Sequence, residues 1–114
     1  MDGRVQMPVN AFLCERFGVN AVDTITEPGP NGILARGDDR AIIENLMLRL
    51  KISVEKHRSV GIAVVGHHDC AGNPVDGTQQ SADTLAAAEA LRSAVGDLPV
   101  IGLWVDENWR VSEL

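Results

Sequence analysis

The 114-residue sequence has no long hydrophobic run, no cluster of basic residues and only two cysteines, and each shortage removes a class of protein. Its apolar stretches fall far short of the ~20 residues that a membrane-spanning helix needs, so no membrane partner is expected. The first residues carry neither the basic nor the apolar region of a secretory signal, which makes the cytoplasm the expected location. Ten basic residues stand against sixteen acidic ones, a net charge of −6, and no Lys/Arg patch is present to neutralise phosphates. No nucleic acid partner is therefore expected. Cys14 and Cys70 do not imply a disulfide in a cytoplasmic chain. Low-complexity segments and internal repeats are also missing.

What is present is 45% hydrophobic residues, enough for one core, and residues 1–114 are read as a single domain. Helical and strand patterns alternate along it, which predicts an α/β fold with a mainly parallel sheet. Pro8 suits a first helical turn, and Ala11, Phe12, Cys14 and Phe17 follow near helical spacing until Gly18. Val22 to Thr26 is predicted as a strand. Glu27 to Gly32, with two prolines and two glycines, is predicted as a loop. Asp38 or Asp39 caps a helix to about His57 that buries Ile42, Ile43, Leu46, Met47 and Leu50. Ser81 to Val95 form an alanine-rich helix closed by Gly96. Pro99 to Val105 form a strand, and Asp106 to Asn108 turn into a short Trp109–Val111 edge segment.

The segment richest in chemistry is Val64-Val65-Gly66-His67-His68-Asp69-Cys70. Ile62 to Val65 run without alternation between Gly61 and Gly66, the pattern of a strand buried on both faces. His67 and Cys70 then fall in the loop at its carboxyl end, where open α/β sheets place their ligands. Imidazole and thiolate suit a borderline-soft ion such as zinc, and one tight turn can present both. The plainer reading is a polar turn capping a strand, with Cys70 as a small core residue. His68 reads as a solvated neighbour. Asp69 reads as a surface carboxylate, or as one that orients His67 or Arg4. Cys14 reads as core, His57 as a helix-end cation, and Trp104 and Trp109 as core and edge packing.

Met1-Asp2-Gly3-Arg4 supplies a second motif. Asp2-x-Arg4 together with His67-x-x-Cys70 resembles the paired signatures of the β-class carbonic anhydrases, which read Cys-x-Asp-x-Arg and His-x-x-Cys. Gly72 and Asn73 resemble the small residues after that family's cysteine. The order of elements agrees through the closing Val100 to Val105 strand, so the resemblance covers nearly the whole chain. It implies a three-layer α/β/α fold and reversible hydration of carbon dioxide to bicarbonate. Zinc is the implied cofactor, lowering the pKa of a bound water to about 7. His67 and Cys70 would be zinc ligands. Asp2 and Arg4 would be the catalytic dyad, the arginine keeping the aspartate charged and oriented, with Asp2 able to take a ligand role if released. A homodimer or larger homo-oligomer is implied as well.

The resemblance also implies a cysteine immediately before Met1 and a strand ahead of it, neither of which the sequence contains. A start set at an internal methionine and a divergent chain both answer to this. The missing strand would lie between the Val22 and Ile62 strands, which are therefore expected either to pair directly or to borrow structure from a second copy. With one zinc ligand missing, weak or no activity is expected. Two other readings stay open: a non-catalytic metal-binding or structural relative of the same fold, and a small-anion-binding α/β domain using Glu27 to Gly32.

Overall fold

The computed structural model describes residues Met1–Leu114. Four helices, α1 (Gly3–Phe17), α2 (Pro30–Arg36), α3 (Arg40–Lys56) and α4 (Gly77–Val95), surround three strands, β1 (Ile62–His67), β2 (Val100–Val105) and β3 (Val111–Glu113). The helix starts follow from carboxylate caps. Asp2, Asp39 and Asp76 each accept a hydrogen bond from a backbone N–H of the first turn, satisfying donors that have no intrahelical partner. Because Asp2 opens α1, Pro8 lies inside that helix rather than in its first turn. Asp76 likewise starts α4 four residues before the expected Ser81. Gly18 and Gly37 close α1 and α2 in the left-handed region that glycine adopts without strain.

The α/β class holds, but the sheet is smaller than the pattern predicts. β1 and β2 pair in parallel from Ile62↔Val100 to His67↔Val105. β3 then adds an antiparallel edge from Leu103↔Glu113 to Val105↔Val111. The sheet is thus mixed rather than mainly parallel. The expected Val22–Thr26 strand does not form: these residues join no sheet and make no backbone–backbone hydrogen bond. Its β-branched pattern is a strand pattern, but no strand lies beside it to supply a ladder. Direct pairing of this segment with β1, one of the two expected ways of closing the sheet, is therefore not what the chain does. Two smaller boundaries also move. Pro30 opens α2 inside the expected loop, and the edge strand starts at Val111 because Trp109 sits in the turn at φ +59°.

Apolar side chains collect in two clusters, one on each face of the sheet. Val64 and Val100 join Leu46 and Leu50 of α3 and Ala87 and Leu91 of α4. Ile101, Leu103 and Val105 join Val5, Val9 and Leu13 of α1. The α1 stripe therefore runs at i, i+4, i+8 from Val5; of the residues read near helical spacing, Phe12 and Phe17 pack against this cluster, whereas Ala11 is exposed and Cys14 half-buried. Leu103 is completely buried, whereas Leu48 on α3 is 59% exposed. Leu103→Ala should lower the unfolding free energy by about 2–5 kcal/mol, while Leu48→Ala should stay within about 0.5 kcal/mol of the parent. Urea denaturation checks both.

Candidate functional site

β1 delivers His67 to the edge of the apolar core with its side chain almost fully buried, at 7% exposure, and Cys70 follows at 8%. Between them the chain reverses through Asp69, a non-glycine residue in the left-handed region at φ +56°. Aspartate tolerates that conformation better than most side chains. His68 and Asp69 point to solvent. The His67 Nδ1 lies 2.7 Å from the carbonyl oxygen of His68. A carbonyl only accepts, so Nδ1 carries a proton, and in the neutral form of the ring the lone pair is on Nε2. A backbone carbonyl bracing one ring nitrogen is the arrangement that orients a metal-ligating histidine.

Arg4, in the first turn of α1, ties the two motifs together. Its Nε lies 3.0 and 3.1 Å from the two Asp2 carboxylate oxygens and its Nη2 lies 2.6 Å from Oδ2. The same guanidinium donates across the fold to Asp69, through Nη1 to Oδ2 at 3.2 Å and through Nη2 to the carbonyl at 3.3 Å. Its flat face lies over Trp109, 4.6 Å from the ring centroid. The Arg4 side chain beside Asp2, then the Arg4 backbone N–H, hold the Asp2 carboxyl well below its ordinary 3.8, with the nearby imidazole of His67 acting in the same direction. The Asp2 hydrogen bonds in turn raise the arginine above its ordinary value. The sequence pairs Asp2 with Arg4. Of the two readings of Asp69, as a surface carboxylate or as one that orients His67 or Arg4, the structure shows an exposed carboxylate that contacts Arg4, whereas the contact with Trp109 has no sign in the sequence.

Behind the loop, close backbone approach fixes its path. A Cβ on Gly72 would lie 2.3 Å from the carbonyl carbon of Pro28, and one on Gly29 would lie 2.5 Å from that of Gly72. No side chain fits at either position. The Glu27–Gly32 segment, read as a candidate anion cradle, is thus occupied by the chain itself, and Glu27 is paired with Arg49. Under Gly66 a buried polar network runs from Asn31 Nδ2 to Gln80 Oε1 at 2.7 Å and to Thr84 Oγ1 at 3.1 Å. Gln80 Nε2 continues it to the Asn73 carbonyl at 2.6 Å. A Cβ at Gly66 would fall 2.4 Å from the Thr84 hydroxyl. These supporting residues were missed in the sequence; only their polarity on helix faces that turn out to be buried could have flagged them.

His67 and Cys70 match zinc in the kind of donor but not in number. No group of three or more His, Cys, Asp or Glu side chains is arranged to hold a metal ion. Asp2 is engaged by Arg4, and Cys14 stands on α1 away from any such group. The residues present therefore do not make a complete catalytic zinc centre, which takes three protein ligands and one open position.

A buried histidine at a parallel strand's carboxyl end, followed by a loop that an arginine ties to an aspartate on another element, defines an α/β protein with the motif pair Asp-x-Arg and His-x-x-Cys. The chain belongs to the family described as "Putative carbonic anhydrase", which matches residues 1–114. No curated protein and no solved structure is significantly similar to it.

The Arg4–Asp2 pair gives a direct pH prediction. A carboxyl whose folded-state pKa lies below its unfolded value stabilises the fold at pH above 3.8, and that contribution is lost as the pH falls. In carboxyl-detected NMR, Asp2 should stay ionised well below pH 3.8, and in Arg4→Ala its titration should move up toward that value. An Asp2 midpoint that does not move in the variant would remove the pair.

Proposed function

We propose that this chain is a carbonic-anhydrase-like protein whose site is directed at carbon dioxide and bicarbonate, with His67 and Cys70 as protein donors to zinc. The observation that carries this reading is the Arg4 guanidinium, which joins Asp2 to the loop holding those two donors. The family match to residues 1–114 supports it. In this reading His67 offers Nε2 because the His68 carbonyl holds Nδ1–H. Cys70 offers sulfur as thiolate, the form that binds metal. Arg4 keeps Asp2 ionised and oriented as the hydrogen-bond acceptor of the reacting water. Zinc, when bound, would lower the pKa of water to about 7. Because the donor set is short, the 114-residue chain is expected to be a weak or inactive hydratase.

The missing third donor favours a second reading: a non-catalytic relative that keeps the fold and a weak metal site. Assembly into a dimer belongs to the proposal under either reading. Two measurements separate the readings. Zinc titration monitored by competition with a chromophoric chelator should show weak binding to the parent. Binding should fall by at least about tenfold in His67→Ala and Cys70→Ser, since losing even a group that only orients a ligand costs about 10–100-fold. Equal zinc affinity in all three proteins would sink the donor assignment. Stopped-flow carbon dioxide hydration in excess zinc then decides catalysis. Activity that is lost in Arg4→Ala and His67→Ala supports the hydratase, and a rate at buffer background supports the non-catalytic relative.

A further inference from the structure

Trp109 occupies a backbone position that glycine fills more readily. Asp106 N–H donates to the Arg110 carbonyl at 3.0 Å and Trp109 N–H donates to the Asp106 carbonyl at 3.0 Å. Glu107 to Trp109 therefore form a short hairpin loop between the antiparallel strands β2 and β3. The last residue of such a loop turns into the left-handed region, where glycine carries no steric cost. Trp109 takes that conformation at φ +59°. Of the non-glycine residues with positive φ, Arg58, Asp69 and Trp109, it has the bulkiest side chain. A large side chain persists there only where its surroundings hold it.

The loop's own hydrogen bonds do not account for the tryptophan. Asp106 Oδ1 accepts from Asn108 N–H at 2.8 Å and from Arg110 N–H at 2.9 Å, and these bonds shape the loop whichever side chain follows Asn108. Edge packing accounts for part of it, since the indole packs against the cluster of Val5, Val9 and Leu13. An aliphatic side chain would serve that purpose too. What only an aromatic ring supplies is a π-face for the Arg4 guanidinium, whose central carbon lies 4.6 Å from the ring centroid.

That face fills a gap in the hold on Arg4. The hydrogen bonds to Asp2 and Asp69 leave the guanidinium along its own plane, because its donors form a flat fork. They fix where the edge of the fork lies and resist tilting of its plane only weakly. The Arg4 side chain is 47% exposed, so water competes for each of them. A ring against the flat face opposes the tilt directly. The hairpin that carries the ring is itself anchored to α1 elsewhere. Arg16 Nε donates to Glu113 Oε2 at 2.8 Å, about 18 Å further along the helix.

We propose that Trp109 is a positioning residue for the Asp2–Arg4 pair: its indole face sets the tilt of the Arg4 guanidinium, and with it the direction in which the Asp2 carboxylate is presented. The functional meaning rests on the carbonic-anhydrase-like reading, in which that carboxylate meets the reacting water, whereas the positioning itself is read from geometry.

The test follows Arg4 by NMR with no metal or substrate present. Hydrogen exchange at Arg4 Nε, which donates to both Asp2 oxygens, reports how often the fork opens. Trp109→Leu keeps apolar bulk without a ring and should speed that exchange by about two- to fivefold, the span of a half-exposed cation–π contact. Trp109→Phe should restore most of the protection. Glu113→Ala, which frees the hairpin from Arg16, should leave Arg4 Nε at the parent rate. Slow exchange of the Leu103 amide in every variant reports that the fold is intact. Equal Nε exchange in the parent and Trp109→Leu overturns the proposal. So does equal acceleration by Trp109→Leu and Glu113→Ala, because the hairpin then acts only by holding the fold together. If Trp109→Leu does not fold, the parent chain decides. The indole ring current should move the Arg4 δ-methylene protons upfield of an unstructured arginine, and unshifted protons refute the contact. A hydration rate at buffer background would end the hydratase reading and leave these results standing, so the two fail separately.

Discussion

The molecule depends on a parallel strand pair that is covered on both faces. β1 and β2 share only six paired positions, and parallel pairs of that length do not survive in water without flanking helices. The chain supplies α1 to one face and α3 and α4 to the other, which is why its apolar residues divide into two clusters rather than one. The division sets where chemistry can occur. A strand covered above and below meets solvent only at its ends, and His67 is the last residue of β1. Everything polar at the site is arranged around that exit point, and everything behind it is packed.

From that constraint follows the role of glycine next to the site. Gly66 must lack a side chain because Thr84 comes up beneath it, and Gly72 must lack one because Pro28 and Gly29 cross it. The turn between His67 and Cys70 is therefore clamped by backbone contact on one side and by Arg4 on the other. Two short-range devices hold two donors in place without any disulfide. The buried Asn31–Gln80–Thr84 hydrogen bonds tie α2 to α4 below the site, although Asn31 Oδ1 has no partner.

Most of the helices were legible because their signals are local. Asp39, Gly18 and Gly96 act within a turn of their own position, and they mark the observed ends of α3, α1 and α4. β1 was legible for a different reason: an unbroken β-branched run between glycines has few other uses. Val22 to Thr26 carried the same chemistry and failed, because a strand is not a property of one segment. It needs a neighbour with a matching row of donors and acceptors, and residue pattern says nothing about whether that neighbour is present. At the site, the two motifs could be read from spacing, whereas the link between them could not. Asp69 reads in the sequence as a surface carboxylate or as a partner of His67 or Arg4; it is exposed, and it is the group through which Arg4 reaches the loop.

Arg4 also explains why Asp2 does not join His67 and Cys70 as a third candidate metal donor. Its guanidinium makes three contacts to the Asp2 carboxylate, at 3.0, 3.1 and 2.6 Å, and these occupy both carboxylate oxygens. The carboxylate is charged and close enough to His67 to feel its imidazole, but its lone pairs are committed to the arginine. For Asp2 to serve as a metal ligand, that fork has to open. Opening it would leave a guanidinium held only by Asp69 and by the ring of Trp109. The same pairing that keeps Asp2 ionised and aimed therefore withholds it from a cation. A carboxylate so placed is suited to accepting a hydrogen bond while staying ionised, and poorly suited to completing a coordination shell. The geometry favours positioning over metal capture, and that choice is made by a single side chain two residues along the same helix start.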